Sequence, residues 1–282
     1  MSGRPFAYCL VALLLVLTWS SPASGAPASR SNDPQPHRGG AEYRVTYGGR
    51  TFACSSGFAV RKVVSGKRGM ASAGHCAPSG TDATSGEFRF GTFLESYNTE
   101  TMDAAMITGT RVKPQVYATT IWTDGGTPST PVARRVLEKV DGPVRGQKVC
   151  VSGKVTKLVC DIEVYSLTGG ESCGDEEPIV CTRGLVLAGK EGVDIVDDGD
   201  SGSPVFVPVD KEVDGHMVYG ARLVGMLIGG GPRREHGPED LVTFHTVRQV
   251  ECALTVQVLT VADAESGRAA PPSRRVDCPT GS

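Results

Sequence analysis

Short apolar runs, rich in valine, threonine and isoleucine, recur along the chain with polar turn residues between them. Runs of this length bounded by glycine, proline, asparagine or aspartate predict strands. Their regular spacing favours an all-β fold built as barrels or a sandwich. The predicted strands are Tyr43 to Tyr47, Ser56 to Val64, Glu87 to Glu95, Ala104 to Thr108, Val116 to Trp122, Val132 to Leu137, Val155 to Tyr165, Gly184 to Ala188, Pro204 to Val209 and Val218 to Gly229.

Near the end of the chain the spacing of the apolar positions changes. Val247, Val250, Leu254 and Val258 are three or four residues apart. This period predicts a helix that packs on the body by one face, and we interpret the stripe as a core contact and not as a site.

The first apolar run belongs to a different kind of segment. Arg4 precedes it, it extends from Phe6 to about Trp19, and small residues follow it. This layout is typical of a secretory signal, and the run is too short to span a bilayer comfortably. Cleavage after Gly25 and cleavage after Ala28 fit about equally well. We expect a signal peptide over 1–25 and a secreted, extracellular protein that has no membrane contact after cleavage.

The segments on either side of the folded part are expected to lack regular structure. Residues 26–40 are rich in proline, serine and glycine without periodicity, so we predict a flexible leader. Residues 263–282 have the composition of a disordered tail, except that Cys278 is expected to tie them back. The predicted folded domain therefore covers 41–262.

The net charge of the chain bears on its binding partners, and its cysteines bear on disulfides and metal binding. The formal net charge is -2 with both signs interspersed, so nothing indicates nucleic acid or an anionic membrane as a partner. Of nine cysteines, Cys9 leaves with the signal, and eight remain for four disulfides in an exported chain. Sequence alone leaves many pairings open, but short gaps favour Cys54–Cys76, Cys150–Cys160 and Cys173–Cys181, which leaves Cys252–Cys278. No Cys-x-x-Cys pair and no histidine pair at ligand spacing occurs, so we expect no metal.

The stretch Gly199-Asp200-Ser201-Gly202 stands directly before a predicted strand. Small residues on both sides let the backbone turn sharply and leave the hydroxyl of Ser201 open, as a nucleophilic serine requires. Taken alone, the same residues are more often a solvated turn.

Two further residues could complete a catalytic set. His75 lies in Ala73-Gly74-His75-Cys76, where a disulfide at Cys76 would hold the imidazole in the one orientation that a general base needs. Asp103 leads into an apolar strand, and a buried carboxylate requires a partner. The alternative for Asp103 is an aspartate that caps the preceding turn. The chain order His, Asp, Ser is that of the chymotrypsin type and not of α/β-hydrolases or subtilisins.

Together these motifs resemble the chymotrypsin-fold serine proteases, and specifically the secreted bacterial branch that includes streptogrisins and α-lytic protease. The matching segments span residues 39 to about 258. They are Cys54 to Phe58, Ser72 to Cys76, Asp103 before its apolar run, Cys150 to Gly153 with Cys160, Gly199 to Gly202, and Val224 to Gly230.

The resemblance implies two antiparallel six-stranded β-barrels with a C-terminal helix. It implies that Ser201 attacks the scissile carbonyl, that His75 transfers the proton and that Asp103 orients His75. The backbone N–H groups of Gly199 and Ser201 would form the oxyanion hole. It implies that the substrates are proteins or peptides, that the protein is a monomer and that it uses no cofactor.

The chain departs from the family pattern at several positions. Ile228 stands where relatives commonly have a serine that binds the triad aspartate, and Ser203 replaces a glycine. Val151 stands where an arginine often pairs with the aspartate before the nucleophile, so we expect Asp200 to need another cation.

The substrate pocket is the least determined part of the resemblance. Ile195 at its base suggests an apolar side chain, whereas a shift of one residue gives Asp194 and a preference for arginine or lysine. Ile228, Gly229 and Gly230 are the other residues expected to bind substrate. The two glycines would leave the pocket mouth open, and the strand that they end would pair with the substrate main chain.

The resemblance also bears on processing and on function. Gly39-Gly40 matches the mature start of these relatives, so trimming near Arg38 is one expectation. We predict a secreted serine endopeptidase. The alternatives are a catalytically weak or inactive binding protein on the same fold and an acyl hydrolase that acts on esters.

Overall fold

The computed structural model describes residues 28–124, 132–174, 178–213, 215–230, 240–265 and Cys278. The predicted signal peptide over 1–25 lies outside the described residues, as does most of the predicted tail over 263–282. No helix in the described ranges is long and apolar enough to cross a membrane.

The regular elements are mostly strands, which confirms the all-β prediction. The strands are β1 (His37–Gly39), β2 (Glu42–Tyr47), β3 (Arg50–Ser55), β4 (Ala59–Lys62), β5 (Arg68–Ser72), β6 (Asp82–Ser85), β7 (Phe88–Asn98), β8 (Asp103–Thr108), β9 (Tyr117–Trp122), β10 (Ala133–Lys139), β11 (Lys148–Gly153), β12 (Lys157–Cys173), β13 (Cys181–Gly189), β14 (Pro204–Pro208), β15 (Lys211–Val213), β16 (His216–Val218), β17 (Gly220–Gly230), β18 (Leu241–Thr246) and β19 (Val256–Val258). The helices are α1 (Val247–Leu254) and α2 (Val261–Glu265).

Two large sheets make up the body. One has the order β19-β4-β5-β8-β7-β6-β2-β3, and the other has the order β1-β9-β10-β17-β14-β11-β12-β13-β18. Because β18 also pairs with β17, the strands from β17 to β18 in the second order are hydrogen-bonded in a ring. The division into two six-stranded barrels and the domain bounds stay predictions.

The core contains two clusters of buried side chains. The larger includes the aromatic residues Tyr43, Phe58, Phe90 and Phe93 and side chains from both large sheets. The smaller consists mainly of valines from the second sheet. β-Branched and aromatic side chains pack well on a pleated surface, which explains why the short apolar runs became strands.

Helix α1 begins with a capping box and ends earlier than its apolar stripe. The Thr246 side chain accepts the Gln249 N–H, and the Gln249 side chain accepts the Thr246 N–H in return. Thr255 takes a left-handed conformation after Leu254 and stops the helix. The prediction that Val258 continues the helix is therefore wrong, and Val258 lies in β19, which pairs with β4.

The N-terminal leader also differs from the prediction. Strand β1 pairs in parallel with β9, and Asp33 and His37 are completely buried. The Asp33 carboxylate accepts hydrogen bonds from the backbone and side chain of Arg38 and from the Trp122 ring N–H. A flexible leader over 26–40 is therefore wrong from residue 28 onward, because polar side chains that composition alone marks as solvated have buried partners.

Candidate active site

His75 and Asp103 are brought together by the pairing of β5 with β8. Ser72 at the end of β5 lies opposite Ala105 in β8, so the loop after β5 passes the first residue of β8. Asp103 Oδ2 accepts a hydrogen bond from His75 Nδ1 at 2.6 Å, and Oδ1 accepts the N–H groups of Gly74 at 2.5 Å and of His75 at 2.9 Å. The aspartate is buried, whereas the imidazole is 32% exposed. One nitrogen of His75 is thus fixed and the other side of the ring stays accessible.

The ionisation of the pair follows from this geometry. Burial by itself would lower the pKa of His75, but the charge and hydrogen bond of Asp103 raise that pKa above its usual value. Burial would raise the pKa of Asp103, but His75 holds it below its usual value. Asp103 is therefore an anion at neutral pH.

Tight packing and a disulfide hold the His75 loop. A Cβ on Gly74 would collide with the Tyr97 carbonyl oxygen, so only glycine lets the two backbones approach this closely. The Ser96 hydroxyl donates to the Gly74 carbonyl at 2.7 Å. The disulfide between Cys76 and Cys54 ties the loop to β3.

His245 in β18 is a further member of this site that the sequence did not reveal. It is completely buried, and its Nε2 accepts the backbone N–H of Asp103 at 3.0 Å. Burial lowers the pKa of His245, although the charge of Asp103 acts in the opposite direction. A neutral ring with its proton on Nδ1 satisfies this contact. No local signal in the sequence could have identified His245, because its partner is distant along the chain.

The turn around Ser201 is held between the ends of β3 and β17. The Ser55 N–H donates to the Ser201 carbonyl at 2.9 Å, and the Gly202 N–H donates to the Leu227 carbonyl at 2.8 Å. Gly199 and Gly202 have φ values of 100° and 91°, which side chains rarely adopt. A Cβ on Gly202 would collide with Ser55 and Ser72. The turn therefore lies against the end of β5, where the His75 loop begins.

The backbone of this turn presents two free donors. Within the described chain, the N–H groups of Gly199 and Ser201 make no hydrogen bond, whereas the N–H groups of Asp200 and Ser203 are used inside the turn. Adjacent unpaired N–H groups at a serine form a ready place for a negatively charged oxygen.

The Ser201 hydroxyl is not joined to the imidazole in this conformation. It donates to the Ile228 carbonyl at 3.1 Å, and no hydrogen bond between Ser201 and His75 occurs among the described residues. Catalytic hydrogen bonds are often incomplete without substrate, and rotation about one side-chain bond redirects a serine hydroxyl.

Asp200 is completely buried and is satisfied without direct contact with a cation in the described chain. Its carboxylate accepts the N–H groups of Val155 at 2.7 Å, Thr156 at 3.2 Å and Asp197 at 3.1 Å, and the Thr156 hydroxyl at 2.7 Å. Where we expected Asp200 to need another cation, three backbone N–H groups and one hydroxyl satisfy the carboxylate directly.

The predicted pocket residues occupy two different environments. Ile195 and Ile228 are buried in the core, whereas Asp194 is exposed. Gly229 and Gly230 are half-buried at the end of β17, and the Gly229 carbonyl accepts the Thr243 hydroxyl at 3.3 Å. An exposed Asp194 does not form the base of a buried pocket, which favours the apolar alternative.

The cysteine pairs in the structure are Cys54–Cys76, Cys150–Cys160, Cys173–Cys181 and Cys252–Cys278. Two groups of potential metal ligands occur among the described residues, and both include disulfide sulfurs. Oxidised sulfurs are not the thiolates that bind metal.

Comparisons with known proteins identify the fold. No protein-family model and no curated protein matches the chain. Among solved structures, it is similar to Thermobifida fusca Protease A, with 22% identity and a TM-score of 0.55, and to Nocardiopsis Protease, with 22% identity and a TM-score of 0.56. It is also similar to Cellulomonas bogoriensis chymotrypsin, with 24% identity and a TM-score of 0.54. Each match covers 79% of this chain and 98% of the other.

The chain has the fold of the bacterial chymotrypsin-like serine proteases. This confirms the resemblance inferred from the motifs at the level of the fold. At these identities the fold alone is shared, so the chemistry depends on the residues of the site.

Proposed function

We propose that the protein is a secreted serine endopeptidase with Ser201 as nucleophile, His75 as general base and Asp103 as the residue that orients His75. The bond from His75 Nδ1 to the buried Asp103 carboxylate carries the proposal. It places the imidazole proton on Nδ1 and leaves Nε2 as the acceptor that an attacking hydroxyl requires. Four disulfides support secretion, since such bonds persist in oxidising compartments.

The reaction follows from these positions. The Ser201 Oγ forms a bond to the substrate carbonyl carbon while its proton passes to His75 Nε2. The carbonyl oxygen becomes negative and accepts the N–H groups of Gly199 and Ser201. His75 then gives the proton to the leaving nitrogen, the C–N bond breaks, and an acyl-enzyme remains on Ser201. Water repeats the sequence and releases the acid.

The substrate is proposed to be a protein or peptide with an apolar side chain before the cleaved bond. Two buried apolar residues support this choice: Ile195, which shortly precedes Ser201 in the chain, and Ile228, whose carbonyl accepts the Ser201 hydroxyl. The half-buried end of β17 at Gly229 and Gly230 would pair with the substrate backbone.

One observation favours a second candidate, a binding protein without activity. The Ser201 hydroxyl bonds the Ile228 carbonyl and not His75. If that orientation persists when a substrate is present, no proton transfer takes place, and the fold would serve only to bind peptides.

A fluorophosphonate that labels activated serines separates the two candidates. We expect labelling of the peptide that contains Ser201, loss of labelling in Ser201→Ala, and unchanged labelling in Ser65→Ala, which alters an exposed serine in a loop of the first sheet. Casein and a simple ester, assayed in parallel, distinguish a peptidase from an acyl hydrolase. A folded sample with all disulfides intact that takes up no label would exclude the catalytic proposal.

A further inference from the structure

Arg30 of the N-terminal segment is buried deep in the second sheet. Its side chain is only 2% exposed, and it forms an ion pair with Asp124 through Nε. Its terminal nitrogens donate to the Gly40 carbonyl at 2.6 Å and to the Ser152 hydroxyl at 2.8 Å. A guanidinium is expensive to bury, and this one is satisfied on all sides by a fixed set of acceptors.

Ser152 begins a segment that encloses the carboxylate next to the nucleophile. Gly153 packs so closely on Asp200 that a Cβ there would collide with Oδ1. Val155 and Thr156 then donate their N–H groups to the same carboxylate. Arg30 therefore binds Ser152 near the end of β11, and the turn that follows this strand donates to Asp200, which directly precedes Ser201.

An electrostatic interaction also links Arg30 to Asp200. The carboxylate of Asp200 is buried and its direct partners are backbone N–H groups and a hydroxyl. Arg30 lies behind Ser152 and is close enough for its charge to interact with that of Asp200. Its direct ion-pair partner is Asp124, and its attraction to Asp200 is weaker and acts over a longer range.

The rest of the segment fixes Arg30 in place. Asp33 accepts hydrogen bonds from Arg38 and Trp122, and both ring nitrogens of His37 lie against carbonyl oxygens, those of Asp33 at 2.8 Å and of Arg89 at 3.0 Å. The segment that carries Arg30 is thus anchored by buried hydrogen bonds to β7 and β9.

We propose that residues 28–38 are a permanent part of the competent form and that Arg30 is a positioning residue for the turn that carries Ser201. This inference rests on the proposed function for its kinetic consequence, but the effect on the turn is independent of any activity. Under this proposal, cleavage after Arg38 that removes residues 28–38 inactivates the protein, so the trimming that the family pattern suggests does not give the competent form.

The test compares Arg30→Met with Arg44→Met, which removes an arginine that is 63% exposed on β2 and pairs only with Glu42 in the contacts described. Hydrogen–deuterium exchange of the peptide that covers 197–203 reports on the turn whether or not the protein is active. We expect faster exchange there in Arg30→Met only, and slower labelling of Ser201 by a fluorophosphonate, on the order of a hundredfold. Arg30→Lys keeps the charge but not the forked geometry and should be intermediate.

A purely structural role for Arg30 gives a different result. It would lower the melting temperature, while the turn exchange and the labelling rate of the folded protein well below that temperature stay as in the wild type. That result would overturn the proposal. A wild-type chain that takes up no label refutes the proposed function alone, because the exchange experiment still decides the role of Arg30.

The N-terminus of the secreted protein supplies a second measurement that needs no variant. We expect the labelled form, or the folded form if none is labelled, to begin before Arg30. A competent form that begins at Gly39 would overturn the proposal even if Arg30→Met fails to fold.

Discussion

Replacement of Asp103 by asparagine tests the central contact of the site. Asp103 Oδ1 accepts two backbone N–H groups and Oδ2 accepts His75 Nδ1. In Asp103→Asn the amide oxygen must take the place of Oδ1, because an NH₂ group there would face two donors. The NH₂ group therefore faces His75 and donates to Nδ1.

The size of the expected fall in kcat follows from the imidazole tautomer that the amide NH₂ group imposes on His75. A donor at Nδ1 shifts the imidazole proton to Nε2, which then has no lone pair for the Ser201 proton. We expect kcat to fall about ten-thousandfold with little loss of fold, as for other triads in which the aspartate becomes asparagine. The pKa of His75 should also fall, since the charge and hydrogen bond that raise it are lost.

The assay is the labelling rate of Ser201 by a fluorophosphonate and peptide hydrolysis, both followed across pH. In the wild type the rate should decrease as pH falls through the raised pKa of His75, because the base becomes protonated. In Asp103→Asn the rate should stay low even at pH values where His75 is neutral. A loss below about tenfold would show that another carboxylate holds His75 and would refute the reasoning.

Two other substitutions test the supports of the site. His245→Leu leaves the buried Asp103 N–H without an acceptor, so urea unfolding should show a loss of about 1–3 kcal/mol, whereas His245→Gln should lose less because its amide oxygen can accept; equal losses would refute a role for the hydrogen bond. Gly199→Ala strains a residue at φ 100° and should displace its N–H, which lowers the labelling rate roughly a hundred- to a thousandfold. Gly192→Ala, at φ 71° with open space around it, is the control and should label normally.

The sequence revealed those parts of the site that short motifs encode. Small residues around Ser201, the cysteine beside His75 and the apolar run after Asp103 are local patterns with a direct physical meaning. The strand positions could be predicted for the same reason, because a short apolar run bounded by turn residues is also a local pattern. Paired strands of low apolar content, such as Asp82–Ser85, gave no such signal and were missed.

Contacts between distant residues could not be predicted in this way. Asp103 and His245 are 142 positions apart, and Arg30 and Ser152 are 122 positions apart. The leader was misinterpreted for the same reason, since its polar residues are buried only by partners that lie far along the chain. Composition describes what a segment would do alone, and tertiary contacts overrode it here.

Two of the three departures from the family pattern, Ile228 and Val151, fall where this chain has other means of support. Ile228 offers no hydroxyl to Asp103, but that carboxylate already accepts three N–H groups, and its backbone is fixed by His245. Val151 offers no charge to Asp200, but four hydrogen-bond donors satisfy that carboxylate. Neither departure therefore leaves a buried charge uncompensated. If the protein proves inactive, the cause should lie in the Ser201 hydroxyl and its bond to Ile228, and not in the residues that orient His75.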